Sequence, residues 1–448
     1  RQADGSLVCL SYDDRGNITE LRDAQGNRTC YAYDDLNRMT ESIDGKGNVT
    51  RYTYDIMGNV TRIENAEGNS QSYEYNASGK VTKVTDFDGE SIRREYNVLN
   101  RPSKAIDKEG RETLLTYDSM WNLARVTAPD RGQTTYIYNE HNLLSRVKHA
   151  DGSKVRYTYD ANGNRTGEED ENGAKTRFTY DALGRVVEVN GEEGLHYAYR
   201  YDGEGNLIHA EDALGNTVSM EYDANGNLVK ETSPLGESRS YTYTPLGDVE
   251  SITDEAGRRI RYSYHPGGQL KAICYPDGRE EAFAYDANGN LESHTLATGF
   301  TLTYTYDSMD RITEIRGSEG ERKTYTYDAL GNVTSMTDGK GHTTRYAYTL
   351  SGQLLKVTDA LGNETRYRYD ACDRLTEIRQ YGAEGSLKGD TEVSGMDEAL
   401  LEAEKKNGRN RVCHITRYTR DLRGQVTEVT DALGQKEAYT YDPKGQLL

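Results

Sequence analysis

Tyrosine recurs at positions 12, 33, 54, 75, 96, 117, 138, 159, 180, 201, 222, 243, 264, 285, 306, 327, 348 and 369, eighteen places spaced by 21 with no slip. A fixed period of this length means a repeat architecture, in which each repeat is one supersecondary unit that buries its apolar face only against its neighbours. After Tyr369 the phase is lost for 51 residues, which is 21 + 30, and resumes with Arg420 in the tyrosine place and Tyr441. The organisation expected is therefore eighteen repeats over 1–379, an insertion over 380–411, and two further repeats over 412–448. The chain opens Arg1, Gln2, Ala3 and stops inside a repeat at Leu448, as expected of a piece of a longer protein.

Take the recurring tyrosine as the anchor. Most repeats carry a second aromatic two residues before it, so 33 of the 36 tyrosines fall in two columns, among them Tyr73 and Tyr75. The residue after the anchor is Asp in 14 of 20 repeats, as at Asp55, Asp223 and Asp328. Four residues after the anchor stands Gly in 14 repeats, including Gly58, Gly226 and Gly331, and Asn or Asp in five, with Trp121 the exception. These are residues that tolerate positive φ, so a left-handed turn is expected there. A second glycine column follows ten residues later, through Gly68, and is missing at Arg131, where Gly132 stands one place late.

Two turns per 21 residues leave two short arms rich in Thr, Tyr, Val, Ile and Arg, which is a β-hairpin per repeat. Residues directly opposite across a turn share a face, so an odd period demands one odd and one even loop, or else a bulge. With a three-residue first turn and a two-residue second turn, Val60 would face Tyr54 on one side and Tyr75 on the other. Arg62 would then lie between Tyr52 and Tyr73. The column six after the anchor is aliphatic in 18 of 20 repeats, Pro102 and Arg165 being the exceptions, so this register alternates tyrosine with aliphatic along one face. Tyrosine hydroxyls are expected to stay in water.

That arrangement answers an otherwise contradictory composition. A net charge of −19 with 34% hydrophobic residues and a mean hydropathy of −0.89 lies close to disordered chains, yet 36 tyrosines against four Phe and one Trp are not a coil's usage. The acidic balance argues against nucleic acid and anionic membrane surfaces while leaving room for a local basic patch. There is no apolar run long enough for a transmembrane helix, so no membrane insertion is expected. Five scattered cysteines (Cys9, Cys30, Cys274, Cys372, Cys413) do not make a disulfide scaffold.

The stretches YTYDALGNVTSMTDGKGHTTRYAY (Tyr325 to Tyr348) and DALGNETRYRYDACDRLTEI (Asp359 to Ile378) resemble the YD repeats of the RHS family, and the likeness recurs in phase over nearly the whole chain. That family includes bacterial Rhs polymorphic toxins, wall-associated Rhs proteins, the C components of insecticidal toxin complexes, and teneurins. The resemblance implies an all-β array of hairpins coiled into a spiral or hollow shell around a C-terminal toxin or effector polypeptide. It also implies secretion or surface display. The partners implied are the protein's own downstream polypeptide and adjoining shell repeats. The autoprotease core that follows the repeats in Rhs proteins finds no match here, so the family's enzymatic residues have no positions to be carried onto.

Read by themselves, the remaining residues offer little chemistry. The repeated Asp column is best taken as turn formers. Calcium, by analogy with Asp/Gly-rich β-rolls, is disfavoured because the acidic column eleven after the anchor breaks at Ala128, His149, Gly191, Ser233 and Tyr275. No cofactor, metal site or catalytic residue is expected, and the chain is not read as an enzyme. Within the insertion, Ser394, Asp397, Glu398 and Asn407-Gly408 predict a short helix near 396–407. The leading expectation is a structural shell segment. A surface adhesion module stacking exposed tyrosines on glycans is the alternative.

Overall fold

The computed structural model describes residues 2–382 and 413–448. It is all-β, with 39 strands, a single 3-10 turn at Glu192–Gly194 and no α-helix among the described residues. The helix predicted near 396–407, and the insertion beyond Tyr381, lie outside them. Gln380 and Tyr381, at the start of the predicted insertion, continue the strand Leu375–Tyr381, which pairs antiparallel with Cys413–Arg420. The insertion therefore connects two paired strands.

The chain divides into two compact units, each built from two stretches: Arg1–Ser70 with Thr176–Lys323, and Gln71–Lys175 with Thr324–Leu448. Within each, a repeat supplies a six-residue strand ending on the anchor, as in Val49–Tyr54, and a five-residue strand starting six residues later, as in Val60–Glu64. Strands adjacent in sequence pair antiparallel.

Both turns of a repeat have the same form, which corrects the expected two-residue second turn. In the first, Asp55 N–H donates to Asn59 O and Gly58 N–H to Asp55 O; in the second, Asp44 N–H donates to Asn48 O and Gly47 N–H to Asp44 O. Each is a three-residue loop whose last residue is left-handed. Two odd loops with an odd period need a bulge, and it sits beside the anchor. The partners run Tyr52↔Ile63, Thr53↔Arg62 and then Tyr54↔Val60, leaving Thr61 unmatched, and the same shift recurs in the other repeats. Tyr54 and Val60 are thus direct partners as predicted. Arg62 is not opposite Tyr52; it faces Thr53 on the other side of the sheet, and Ile63 takes its place.

The left-handed conformation is imposed by the turn and not by the residue. All twenty first-turn positions have positive φ, including Trp121 at 66° and Asn37 at 60°. Arg131, where the glycine column breaks, adopts 72° itself, so Gly132 does not take over. At Gly226, φ is 81°. Gly226→Val is therefore expected to cost about 1–3 kcal/mol in urea unfolding, whereas Gly226→Asn should be mild. Equal losses from the two substitutions would contradict this backbone assignment.

Candidate functional site

What the repeats build is a surface lattice, and its parts follow from the turns outward. At the first turn Asp55 Oδ1 accepts from the backbone N–H groups of Met57 and Asn59 at 2.9 Å each, while Oδ2 accepts from Asn59 Nδ2 at 2.9 Å. Asp223 repeats the pattern with Asn225 and Asn227, and Asp328 with Leu330 and Asn332. The Asn59 and Asn227 amides hold Asp55 and Asp223 below the ordinary carboxylate range. Where the amide column carries arginine, the guanidinium takes over, as Arg38 Nε on Asp34 Oδ2 at 2.7 Å. Calcium bound by this column would have to displace these bonds. No group of three His, Cys, Asp or Glu among the described residues is arranged to hold a metal.

One face of the sheet carries both aromatic columns, the aliphatic column at Val60, and the column nine after the anchor. This last column is apolar in 15 of the 19 repeats that contain it, as at Leu21, Ile63, Val84, Val147 and Ile252. The sequence reading missed it, because with the bulge unplaced it falls on the opposite face. Its exceptions are instructive. Arg165 and Glu168 occupy the two aliphatic columns of one repeat together, ion-pair at 3.0 Å, and the guanidinium lies 5.6 Å from the Tyr157 ring centre.

Most hydroxyls of the anchor column are not left to water. Tyr54 donates to Met39 O at 2.6 Å, Tyr222 to Leu207 O at 2.9 Å and Tyr243 to Leu228 O at 2.7 Å. Each bond reaches the aliphatic column fifteen residues back. The reason is the bulge: between Met39–Ile43 and Val49–Tyr54 the partners run only from Ile43↔Val49 to Glu41↔Arg51, so the Met39 carbonyl is beyond the ladder. Burial raises the Tyr54 and Tyr222 phenols, in keeping with a neutral donor. Tyr73, in the other column, donates to Gln71 Oε1.

A third element is a seam within each compact unit. In the first unit, second-turn residues of early repeats meet first-turn residues twelve repeats later: Asn288 Nδ2 donates to Asp44 Oδ2 at 2.7 Å, Lys46 pairs with Asp286 at 3.2 Å, and Glu67 pairs with Arg311. In the second unit Arg111 grips Asp373 through two bonds of 2.7 and 2.9 Å, and Arg374 reaches Asp130 at 2.8 Å. Arg111 holds Asp373 below the ordinary carboxylate range. Of the residues singled out in the sequence, Tyr54, Asp55, Gly58, Val60 and Gly68 lie in two neighbouring hairpin strands and their turns, with Gly58 and Gly68 at φ 89° and 82°. Tyr75, Tyr327 and Gly331 hold the equivalent strand-end and turn positions of their own repeats. None of these residues is part of the seam contacts named above.

The RHS repeat profile matches residues 138–280, 285–386 and 416–448 in eleven overlapping segments, and the teneurin YD-shell profile matches residues 2–134. No curated protein sequence matches the chain. Among solved structures it is similar to the TcdB2-TccC3-Cdc42 crystal structure (15% identity, TM-score 0.58, 98% of this chain and 27% of that one). It is also similar to the Photorhabdus luminescens Tc holotoxin pore carrying TccC3-D651A (15% identity, TM-score 0.58, 98% of this chain and 32% of that one). The chain thus spans about a quarter to a third of these structures' length, and at such identity the likeness is one of fold. With the repeat profile covering more than half of it, the chain belongs to the RHS repeat family.

Proposed function

We propose that this chain is a non-enzymatic wall segment of a secreted or surface-displayed protein, and that it encloses and protects a toxin or effector polypeptide for delivery to other cells. The observation that supports this reading most directly is the seam. A ribbon whose passes are joined turn to turn, as Asp44 is to Asn288 and Arg111 to Asp373, is suited to act as a wall that hinders a protease from reaching what lies behind. The YD-shell match and the toxin-complex fold likeness point the same way. The tyrosine face is already committed to carbonyls and aliphatic neighbours, which speaks against its use for stacking glycans.

The test is limited proteolysis of the full-length protein that contains these repeats. Sequence outside the repeats should be cut slowly in the native protein and rapidly once Gly45→Val wedges the seam open. Equal cleavage rates in the two proteins would sink the proposal.

A further inference from the structure

We propose that the hairpin Leu144–Tyr159, with the strand Leu123–Thr127 separated from it by Gln133–Tyr138, forms a cationic docking surface for an extended acidic polypeptide. The face of the sheet opposite the tyrosines is mostly an ion-pair lattice, and the repeat supplies its own control. In the column eight after the anchor, Lys83 pairs with Glu74 at 2.9 Å, Lys104 with Glu112 at 2.5 Å, and Lys230 with Glu221 at 3.0 Å. At Arg125 and Arg146 the same column stays cationic, but the positions that would supply the acid hold Thr116, Gln133, Ile137 and Lys154. Among the described residues no carboxylate lies within ion-pair distance of Arg125, Arg146, Lys148 or Lys154, and the buried Nε of Arg146 has no hydrogen-bond partner. Only Arg156, at the margin, is neutralised, by Glu169.

The register makes the concentration of charge sharper still. Arg146 stands directly opposite Arg156, and Lys148 directly opposite Lys154. Like charges placed directly across a sheet destabilise it, so two such pairs in one hairpin, in a chain of net charge −19, are an arrangement that folding alone does not favour. The platform beneath is firm, because Val147 and Val155 pair between them on the other face at 9% and 8% exposure.

Geometry selects the ligand class. Along each strand of the hairpin the cationic groups, Arg146 with Lys148 and Lys154 with Arg156, repeat about 6.8 Å apart, the spacing of alternate side chains in an extended peptide, so Asp or Glu at every second residue would meet them in step. Single-stranded nucleic acid is held through aromatic side chains that stack on its bases. On this hairpin and the strand Gln133–Tyr138 before it, Tyr136, Tyr138, Tyr157 and Tyr159 all belong to the opposite face, in register with Val147, Leu144, Glu168 and Arg165. Sugar rings would lack the same platforms.

The test uses the whole chain and a fluorescein-labelled decapeptide alternating Glu and Ser, read by anisotropy at low and moderate salt. Binding that weakens with salt is expected, and Lys148→Glu should weaken it at least tenfold while raising the melting temperature, since it turns a repelling pair into an attracting one. Arg146→Gln should also weaken binding without loss of fold. Absence of peptide binding, or equal binding by all three proteins, would overturn the proposal. So would displacement of the peptide by a heparin tetrasaccharide or by oligo-dT at concentrations below those of unlabelled peptide.

Discussion

Gly45→Val is expected to destabilise the first compact unit by about 3 kcal/mol, at the upper end of what overpacking costs, and to do so at the seam. A Cβ at residue 45 would lie 2.2 Å from the carbonyl oxygen of Ala287 and 2.8 Å from its carbonyl carbon. Both are backbone atoms and cannot rotate aside. Relief requires the two turns to separate, which breaks the Asp44–Asn288 bond and the Lys46–Asp286 pair together. Gly45 is not among the positive-φ residues, so the substitution tests crowding alone. Gly47→Ala is the matching control, because Gly47 has φ 89° and open space around it, and it tests backbone strain alone. Hydrogen exchange should show protection lost at residues 44–48 and 286–290 in Gly45→Val and at 44–48 only in Gly47→Ala. Unchanged protection at 286–290 in Gly45→Val would show that the seam is not closed as described.

The hairpins, the left-handed turns and the pairing of Tyr54 with Val60 were legible in the sequence because each depends on residues at most ten apart. A column of Gly, Asn and Asp announces positive φ by itself, and the 21-residue spacing does the rest. The bulge was less accessible. Parity demanded either an even loop or an extra residue, and nothing in the composition of the second turn distinguishes a two-residue from a three-residue loop when both end on the same glycine. That one residue decided which side Arg62 and Ile63 take, and so hid an aliphatic column that a count by repeat position would have exposed. The seam was inaccessible for a different reason. Residues such as Asp130 and Arg374 are joined only because turns twelve repeats apart meet, a number set by accumulated strand twist and coil and not by any local signal. In near-identical repeats the partners also look alike, so an arginine five after an anchor carries no mark that says whether it reaches across the seam, as Arg374 does, or only to its own turn and the next hairpin, as Arg185 does.

Replacing Tyr201, Tyr222, Tyr243 and Tyr264 together by Phe is expected to cost about 4 kcal/mol, at roughly 1 kcal/mol for each hydrogen bond removed. Their hydroxyls donate to the carbonyls of Val186, Leu207, Leu228 and Val249 at 2.6 to 2.9 Å. Were the hydroxyls merely wet, the four changes would be neutral or slightly stabilising, since Phe is the more apolar ring. Urea unfolding of the quadruple variant therefore separates the two accounts by sign, and Tyr262→Phe, in the other aromatic column, gives the baseline for a ring without this role. Neighbouring repeats share interfaces, so the four losses need not add, and measuring the single variants as well gives the coupling directly. The presence of 19 tyrosines and no phenylalanine in the anchor column is then a consequence of the bulge. The extra residue beside each anchor takes one carbonyl per repeat out of the ladder, and a phenol on the next hairpin is long enough to reach it, while a phenyl ring of the same shape would fill the space and leave the acceptor unmet.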